Sequence, residues 1–319
     1  MTSARPFRFG VVAENAPTPS ALLNTAHRAE QLGYATLLLR DHFITEPFGD
    51  QLSPMPALSA VAATTRHLRV GTLVLANDYR HPVLLAKEAA TLDALSDGRF
   101  ELGLGAGWLR EEYERAGLPF DRAGVRVDRL EEAVAVIHEL LSGKSVTHDG
   151  AHHHIRELTT HPPAVQYPRP PILIGAGAKR MLQLAGRAAD IVGILPKALP
   201  EGAISESLDE RTPEAIATKI EWVREAAGSR FADIELSMMI APHLTDDVVQ
   251  ACEQYATSRG WPWLDPHGVM QLPGVFIGSV EHIAESMRER RDQYGFSYYV
   301  VSDAVMDDFA PVVEKLTHA

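Results

Sequence analysis

An acidic residue and an imidazole stand side by side just after a wholly apolar run. Asp41 and His42 come shortly after Ala35–Leu39, a stretch whose composition is typical of a strand buried on both faces. An imidazole, with an unperturbed pKa of roughly 6.5, can accept or release a proton near neutral pH. The pair therefore predicts acid–base catalysis at the end of a strand. The alternative is a histidine with a purely structural role.

Two glycine-rich segments also follow apolar runs, namely Gly103–Trp108 and Gly175–Arg180. Glycine lets a backbone approach a ligand closely and offers its N–H groups without a Cβ in the way. In the second segment Lys179 and Arg180 fall at the start of a predicted helix, and a helix N-terminus with two cations favours a phosphate. The alternative is that these glycines only form tight turns. The first segment lacks the full G-x-G-x-x-G pattern, which disfavours a Rossmann fold.

Short aliphatic runs alternate with longer amphipathic stretches along nearly the whole chain. Eight runs are predicted as strands: Phe7–Ala13, Ala35–Leu39, Leu68–Leu75, Phe100–Gly105, Ile172–Gly175, Asp190–Leu195, Ile234–Ala241 and Ser297–Val301. Eight strand–helix units favour an α/β fold of the (β/α)8 TIM-barrel type over a doubly wound sheet. In such a barrel the carboxyl ends of the strands meet at one mouth, where catalytic and binding residues lie.

The predicted helices carry recognisable start and stop signals. They are Pro19–Leu32, Pro54–Arg66, Pro82–Leu95, Arg122–Leu141, Ala178–Ala188, a helix beginning after Thr212, Asp246–Ser258, Ser279–Tyr294 and Ala304–Leu316. Thr212 is a natural N-cap because Pro213 follows it at the first helical position. Three segments exceed the usual loop length and are predicted as insertions that determine specificity: Ser142–Pro171, Pro196–Glu210 and Arg259–Gly278. We expect one domain over residues 1–319.

Composition excludes several classes of protein. The 319 residues are 45% apolar and 23% charged, with 30 Lys and Arg against 42 Asp and Glu, a net charge of −12. The apolar content excludes intrinsic disorder, and the acidic balance argues against a nucleic-acid binder. The single cysteine, Cys252, excludes an internal disulfide and is expected to be buried filler. Since no apolar run is long enough for a membrane helix or a signal peptide, we expect a cytoplasmic protein.

Several segments together resemble the bacterial-luciferase-like flavin or deazaflavin oxidoreductases. They are Ser96–Trp108, Phe120–Arg122 with Arg126, Arg129 and Leu130, Pro170–Gly177, Ala185–Asp190, Gly278–Ile283 and Gly295–Tyr298. The resemblance runs from about Phe7 to the end of the chain. It implies a barrel that holds either coenzyme F420 or FMN in its mouth and acts on a small organic substrate. It also implies a homodimer formed through the helices of the early βα units.

The Asp-His pair is similar to that of the F420-dependent branch of this family. There the histidine lies beside the deazaflavin ring and acts in proton transfer, so the resemblance implies this role for His42 and a cofactor contact for Asp41. It implies further cofactor contacts, with a cis peptide near Leu73 and Val74 and a phosphate site in the loop after the fifth strand. The residues concerned are Leu73, Val74, Gly105, Ala106, Gly107, Trp108, Gly175, Ala176, Gly177, Lys179 and Arg180.

One residue departs from the pattern of the sugar-phosphate dehydrogenases in that branch. At the position of Trp108 these enzymes have a glutamate, which is one member of their acid–base pair. An indole cannot accept or release a proton at neutral pH. Glu111 and Glu112 are nearby in sequence. Glucose 6-phosphate is therefore disfavoured as a substrate, and reductase or monooxygenase variants are favoured.

Three functional hypotheses follow. The first is an F420-dependent oxidoreductase that moves a hydride between the deazaflavin and an organic substrate, with His42 exchanging the proton. The second is an FMN-dependent monooxygenase that uses reduced flavin to activate oxygen. The third is a non-catalytic flavin-binding protein, which the presence of Asp41 and His42 disfavours.

Two further clusters are conspicuous. His152–His154, with His148 nearby, could suggest a metal site, but no carboxylate or cysteine completes the set, so we expect a solvated loop and no metal. Trp261 and Trp263 lie in the third insertion, where they either wall the substrate pocket or pack the insertion onto the barrel.

Overall fold

A closed ring of parallel strands forms the centre of the structure, a computed structural model that describes residues 5–317. The strands are β1 (Arg8–Val12), β2 (Thr36–Leu39), β3 (Arg69–Thr72), β4 (Leu75–Ala76), β5 (Phe100–Gly105), β6 (Val146–Asp149), β7 (His154–Leu158), β8 (Ile172–Ala176), β9 (Ile191–Ile194), β10 (Glu235–Met239), β11 (His243–Leu244), β12 (Ile277–Gly278) and β13 (Phe296–Ser302). The ring runs β3-β2-β1-β13-β10-β9-β8-β5, and β3 pairs with β5 to close it. The predicted (β/α)8 barrel is confirmed, and each predicted strand contributes to it.

Helices surround the ring. They are α1 (Pro19–Gln31), α2 (Pro54–Thr64), α3 (Pro82–Leu95), α4 (Arg110–Ala116), α5 (Ala123–Leu141), α6 (Lys179–Ala188), α7 (Pro213–Ala227), α8 (Val248–Ser258), α9 (Pro266–Gln271), α10 (Val280–Tyr294) and α11 (Met306–Thr317). The predicted cap of α7 is confirmed, because the Thr212 hydroxyl accepts a hydrogen bond of 3.2 Å from the Ala215 N–H. The short helices α4 and α9 were not predicted.

In most strands of the ring, alternate residues enter two different apolar cores. Side chains that point outwards, such as Phe9, Leu102 and Ile174, pack with the helices in the larger core. Side chains that point inwards form a smaller cluster in the lumen: Val12, Leu38, Leu173, Ile191, Tyr298 and Val300. This alternation is the period-2 geometry of a strand, and it explains why the strands read as continuously apolar.

The amino ends of the strands enclose a buried ionic network. Glu101 is 2% exposed and accepts hydrogen bonds of 2.5 Å from both Arg8 and Arg69. Arg8 also contacts Glu235 at 2.6 Å and lies 3.7 Å from the centre of the Tyr298 ring. Burial raises the pKa of Glu101, but the two guanidinium groups outweigh burial and keep that pKa below its ordinary value. This network fills the end of the barrel opposite the mouth.

The third strand differs from its prediction. The sequence predicts one strand over Leu68–Leu75, whereas the structure has β3 and β4 with a cis peptide between Leu73 and Val74. The location of this bond agrees with the expectation from the family resemblance.

The three insertions carry structure of their own. Residues 142–171 contain the hairpin of β6 and β7, and the other two insertions pack together with α8 and α9. Trp261 and Cys252 are buried in this outer cluster, which is distinct from both cores of the barrel, whereas Trp263 is 72% exposed. None of the helices formed by residues 5–317 has the length and apolar character needed to cross a bilayer.

Candidate active site at the barrel mouth

The acidic residue of the predicted pair is bound to the protein itself. Asp41 is 5% exposed, and its carboxylate accepts two hydrogen bonds from the guanidinium of Arg80, at 2.5 and 3.0 Å. It also accepts one of 3.1 Å from the Ala76 N–H. Asp41 therefore ties the end of β2 to the segment that follows β4. Its predicted contact with a cofactor stays a prediction.

His42 contacts Glu112, a carboxylate that is near Trp108 in sequence and for which no geometry was predicted. The Nδ1 atom of His42 lies 3.1 Å from Oε2 of Glu112, in the first turn of α4. Glu112 is 1% exposed and also accepts hydrogen bonds from the Phe43 N–H, at 2.6 Å, and from the Tyr79 hydroxyl, at 3.0 Å. Burial raises the pKa of Glu112, but the hydrogen bonds from His42, Phe43 and Tyr79 outweigh burial and keep that pKa below its ordinary value.

Aromatic rings surround the imidazole. The ring centre of Phe48 lies 4.9 Å from that of His42, and the indole of Trp108 stands edge-on to the imidazole at 6.0 Å. The guanidinium of Arg40 stacks on Phe48, 4.0 Å from the centre of its ring, and pairs with Glu14 at 2.6 Å. The imidazole therefore lies in a largely apolar surrounding, where proton transfer competes little with bulk water.

The floor of the mouth is apolar and half-buried. Leu73, Val74 and Met239 pack on the lumen cluster, but each leaves part of its side chain uncovered. A Cβ on Gly105 would lie 2.8 Å from a methyl group of Val74, so glycine is required for this close packing. A flat ring lying on this floor would cover apolar surface, which is favourable in water.

The two glycine loops follow the carboxyl ends of β5 and β8. Among the hydrogen bonds within residues 5–317, none involves the N–H of Gly107, Trp108 or Gly177. Gly107 has a left-handed φ of 74°, and a Cβ there would collide with the hydroxyl of Tyr113. The apolar floor matches the apolar faces of a flavin or deazaflavin ring. The free N–H groups and the imidazole match its polar edges.

The two predicted phosphate-binding cations have different surroundings. Arg180 forms an ion pair with Asp128 of α5 and donates to the Gly124 carbonyl at 3.1 Å, so its guanidinium is turned towards α5. Lys179 lies 5.6 Å from the centre of the Trp222 ring, at a cavity of about 510 Å³ between α6 and α7. Of the two, Lys179 is the cation that borders open space beside Gly177.

Comparison with known proteins bears on this site. The family described as luciferase-like monooxygenase matches residues 3–310. The chain belongs to this family. It is 35% identical over 195 residues, 58% of its own length, to an F420-dependent glucose-6-phosphate dehydrogenase of Microbacterium testaceum, of which the match covers 55%. A protein of the same name from Kineococcus radiotolerans is 30% identical over 270 residues, 82% of this chain and 74% of that protein.

The chain spans about half the length of the first of these curated relatives. Among solved structures, the coenzyme F420-dependent tetrahydromethanopterin reductase of Methanopyrus kandleri aligns with a TM-score of 0.73 and 18% identity over 97% of each chain. The likeness to this reductase concerns the fold alone. The family membership implied by the sequence resemblance is thus confirmed.

Three residues of this luciferase-like site were missed or left without a role by the sequence analysis. Glu112 contacts His42, Arg80 contacts Asp41, and Tyr79 contacts Glu112. Tyr79 and Arg80 are adjacent in the segment after β4, whereas Glu112 lies in α4, and both are distant in sequence from Asp41 and His42. The one local signal was the position of Glu112, four residues after Trp108 in the sequence.

The histidine run belongs to the β6–β7 hairpin. Glu132 of α5 accepts hydrogen bonds from the backbone N–H groups of Ala151, His152 and His153, at 2.9 to 3.1 Å, and His148 lies 3.4 Å away. Within the described part of the chain, no group of three or more His, Cys, Asp or Glu side chains is arranged to hold a metal. Glu132 therefore anchors the tip of the hairpin to α5.

Proposed function

We propose that this family member is a coenzyme F420-dependent oxidoreductase that transfers a hydride between the deazaflavin and a small organic substrate. The observation that carries the proposal is the imidazole of His42 at the barrel mouth, hydrogen-bonded to Glu112 and enclosed by Phe48 and Trp108. The names of the curated relatives support this choice of cofactor.

The floor and the glycine loops would hold the cofactor. Leu73, Val74 and Met239 would support one face of the ring, and the free N–H groups after β5 would meet its polar edge. The loop of Gly175, Ala176 and Gly177 would take the phosphate, with Lys179 adjacent. When bound, coenzyme F420 supplies a carbon that accepts or donates a hydride.

His42 would exchange the proton that accompanies the hydride. A hydride transfer that interconverts an alcohol and a carbonyl must also move the hydroxyl proton, and imidazole is suited to this near neutral pH. The rings of Phe48 and Trp108 limit the access of water to the imidazole. Asp41, held by Arg80, would fix the backbone on which His42 is carried.

The wall of the site favours an uncharged substrate over a sugar phosphate. Trp108 places an indole where the sugar-phosphate dehydrogenases that the chain resembles have a glutamate. Arg40, the cation that stacks on Phe48, is already paired with Glu14. We expect turnover of small secondary alcohols or ketones and none of glucose 6-phosphate. Turnover of both substrate classes, followed by the absorbance of the cofactor at 420 nm, tests this expectation.

An FMN-dependent monooxygenase is the second candidate, because the family is described as luciferase-like monooxygenase. Binding separates the two. Purified protein is titrated with oxidised coenzyme F420 and, at matched concentrations, with FMN, and cofactor fluorescence is followed. We expect micromolar affinity for coenzyme F420 and at least tenfold weaker binding of FMN. Micromolar binding of FMN alone would overturn the proposal in favour of the monooxygenase.

The third hypothesis, a non-catalytic flavin-binding protein, is favoured instead if a cofactor binds but no substrate of either class is turned over. A homodimer and a cytoplasmic location, both expected from the sequence, stay predictions, as does the single domain over residues 1–319. Light scattering after size-exclusion chromatography tests the first, and limited proteolysis tests the last.

A further inference from the structure

Glu112 receives an unusual number of hydrogen bonds for a carboxylate on a surface helix. Its Oε1 atom accepts from the backbone N–H groups of Phe43, at 2.6 Å, and Ile44, at 3.3 Å. Its Oε2 atom accepts from the Tyr79 hydroxyl, at 3.0 Å, and faces Nδ1 of His42 at 3.1 Å. With two partners on each oxygen and 1% exposure, this carboxylate is fixed in position and orientation.

The protonation states of this cluster follow from its chemistry. The pKa of Glu112 is kept low by its donors, so the carboxylate is ionised at neutral pH and can only accept hydrogen bonds. Burial, and then the neighbouring charge of Glu112, raise the pKa of Tyr79, so its hydroxyl remains a donor. An acceptor at 3.1 Å from Nδ1 of His42 requires a proton on that nitrogen.

We propose that Glu112 is the positioning residue of His42, holding the imidazole in the tautomer with Nδ1 protonated, so that Nε2 is the atom that exchanges the substrate proton. The proposal rests on the proposed function for its catalytic consequence, but the tautomer itself is a property of the protein without cofactor. Tyr79 and the two backbone N–H groups act one step further out, because they orient Glu112.

The proton and electron balance of the reaction is consistent with this assignment. As an alcohol is oxidised, the hydrogen of its C–H bond would leave with both bonding electrons as a hydride, which bound coenzyme F420 would accept. Its O–H bond would break with the proton passing to Nε2 of His42. The carbon–oxygen bond of the product becomes double. His42 is then an imidazolium with both nitrogens protonated, and the carboxylate of Glu112 stabilises that charge until Nε2 releases its proton to water.

The test replaces Glu112 by glutamine. In E112Q the side-chain oxygen can still accept from the backbone N–H groups of Phe43 and Ile44, while the amide NH2 turns a donor towards Nδ1 of His42. We expect the tautomer to invert, with Nδ1 unprotonated and Nε2 protonated. The readout is the 15N chemical shifts of the His42 ring in cofactor-free protein, since the protonated and bare nitrogens of a neutral imidazole differ widely in shift.

Activity provides the second readout. We expect kcat of E112Q to fall about 100-fold or more, with KM and the dissociation constant of oxidised coenzyme F420 within about threefold of wild type. The matched control is Glu111→Gln, which removes an adjacent carboxylate that is exposed and pairs with Arg115. The control should leave the tautomer and kcat unchanged.

Tyr79→Phe is a second, milder variant that tests the same cluster if E112Q does not fold. It removes one donor to Glu112 and keeps the ring, so we expect a folded protein with the wild-type tautomer and a kcat reduced severalfold. A His42 ring that keeps its Nδ1 proton in E112Q, or an equal loss of kcat in E111Q, would overturn the positioning role. Failure of wild-type protein to bind coenzyme F420 would instead remove the proposed function and leave the tautomer result standing.

Discussion

Arg80 and Asp41 form a two-pronged ion pair at the barrel mouth, with both guanidinium nitrogens on the carboxylate at 2.5 and 3.0 Å. The side chain of Asp41 is 3% exposed and that of Arg80 is 17% exposed. This pair joins the residue before His42 to the segment that carries Tyr79. The position of the imidazole therefore depends on a contact between two loops.

Asp41→Asn should destabilise the protein. The substitution leaves the half-buried guanidinium of Arg80 without its counter-charge, which we expect to lower the free energy of unfolding by about 2–4 kcal/mol. Urea denaturation measures this loss. Asp307→Asn is the control, because Asp307 pairs with Arg28 at 2.6 Å on an exposed surface and should cost less than about 1 kcal/mol. Equal losses in the two variants would show that the Arg80 pair contributes no special stability.

His42→Ala should separate catalysis from cofactor binding. If His42 exchanges the proton, kcat falls by about 10²–10⁴-fold while the dissociation constant of the cofactor changes little. Steady-state kinetics and fluorescence titration provide the two numbers. His67→Ala, at an exposed histidine away from the mouth, should behave as wild type. Unchanged turnover in H42A would remove the proposed role of this residue.

Gly107→Ala tests the geometry of the loop after β5. Alanine in a left-handed conformation costs roughly 1–2 kcal/mol, and at position 107 the new Cβ also collides with Tyr113, whose hydroxyl is held by Asp78 at 3.1 Å. Gly117→Ala is a matched control, because its φ is 70° and no atom lies within 4 Å of its Cβ position. We expect G107A to lose at least about 1 kcal/mol more stability than G117A. Thermal unfolding of both variants decides the point.

His138 should make the fold sensitive to mild acid. Burial lowers the pKa of His138 to about 4, and the nearby charges of Arg169 and Arg230 contribute in the same direction. The unfolded chain takes up this proton near pH 6.5, so the stabilisation is complete above about pH 6.5 and is lost as the pH falls towards 4. The loss across this window is up to about 3 kcal/mol, since one pKa unit corresponds to about 1.4 kcal/mol.

Urea denaturation between pH 4 and pH 7 measures this dependence. His138→Gln should flatten the slope of stability against pH in that window, whereas His67→Gln at an exposed site should keep it. A slope in H138Q equal to that of wild type would assign the acid sensitivity to other groups.

The barrel could be predicted because its signals are local. Wholly apolar runs such as Leu37–Leu39 mark strands buried on both faces, and Thr212 followed by proline marks a helix start within a few residues. The break between β3 and β4 has no such local signal, because Leu73–Leu75 is an apolar run that continues across the cis bond. Only the family resemblance located it.

The candidate site could be predicted in part. Asp41 and His42 stand where the strand pattern places them, at the carboxyl end of β2. Their partners could not be deduced, because Glu112 meets His42 across 70 residues of sequence and Arg80 meets Asp41 across 39. Such pairs depend on how two βα loops approach each other, and this is set by tertiary packing rather than by residue spacing.

The ionic network of Arg8, Glu101 and Glu235 has a consequence for the order of events at the opposite end. Because the network fills the end of the barrel opposite the mouth, ligands enter and leave by the same route, through the mouth. A ring resting on Leu73 and Val74 would occupy the inner end of that route. A cofactor bound there would have to enter before the substrate, and the product would have to leave before the spent cofactor. Initial-rate kinetics should accordingly show compulsory-order patterns, with the substrate unable to bind the empty protein.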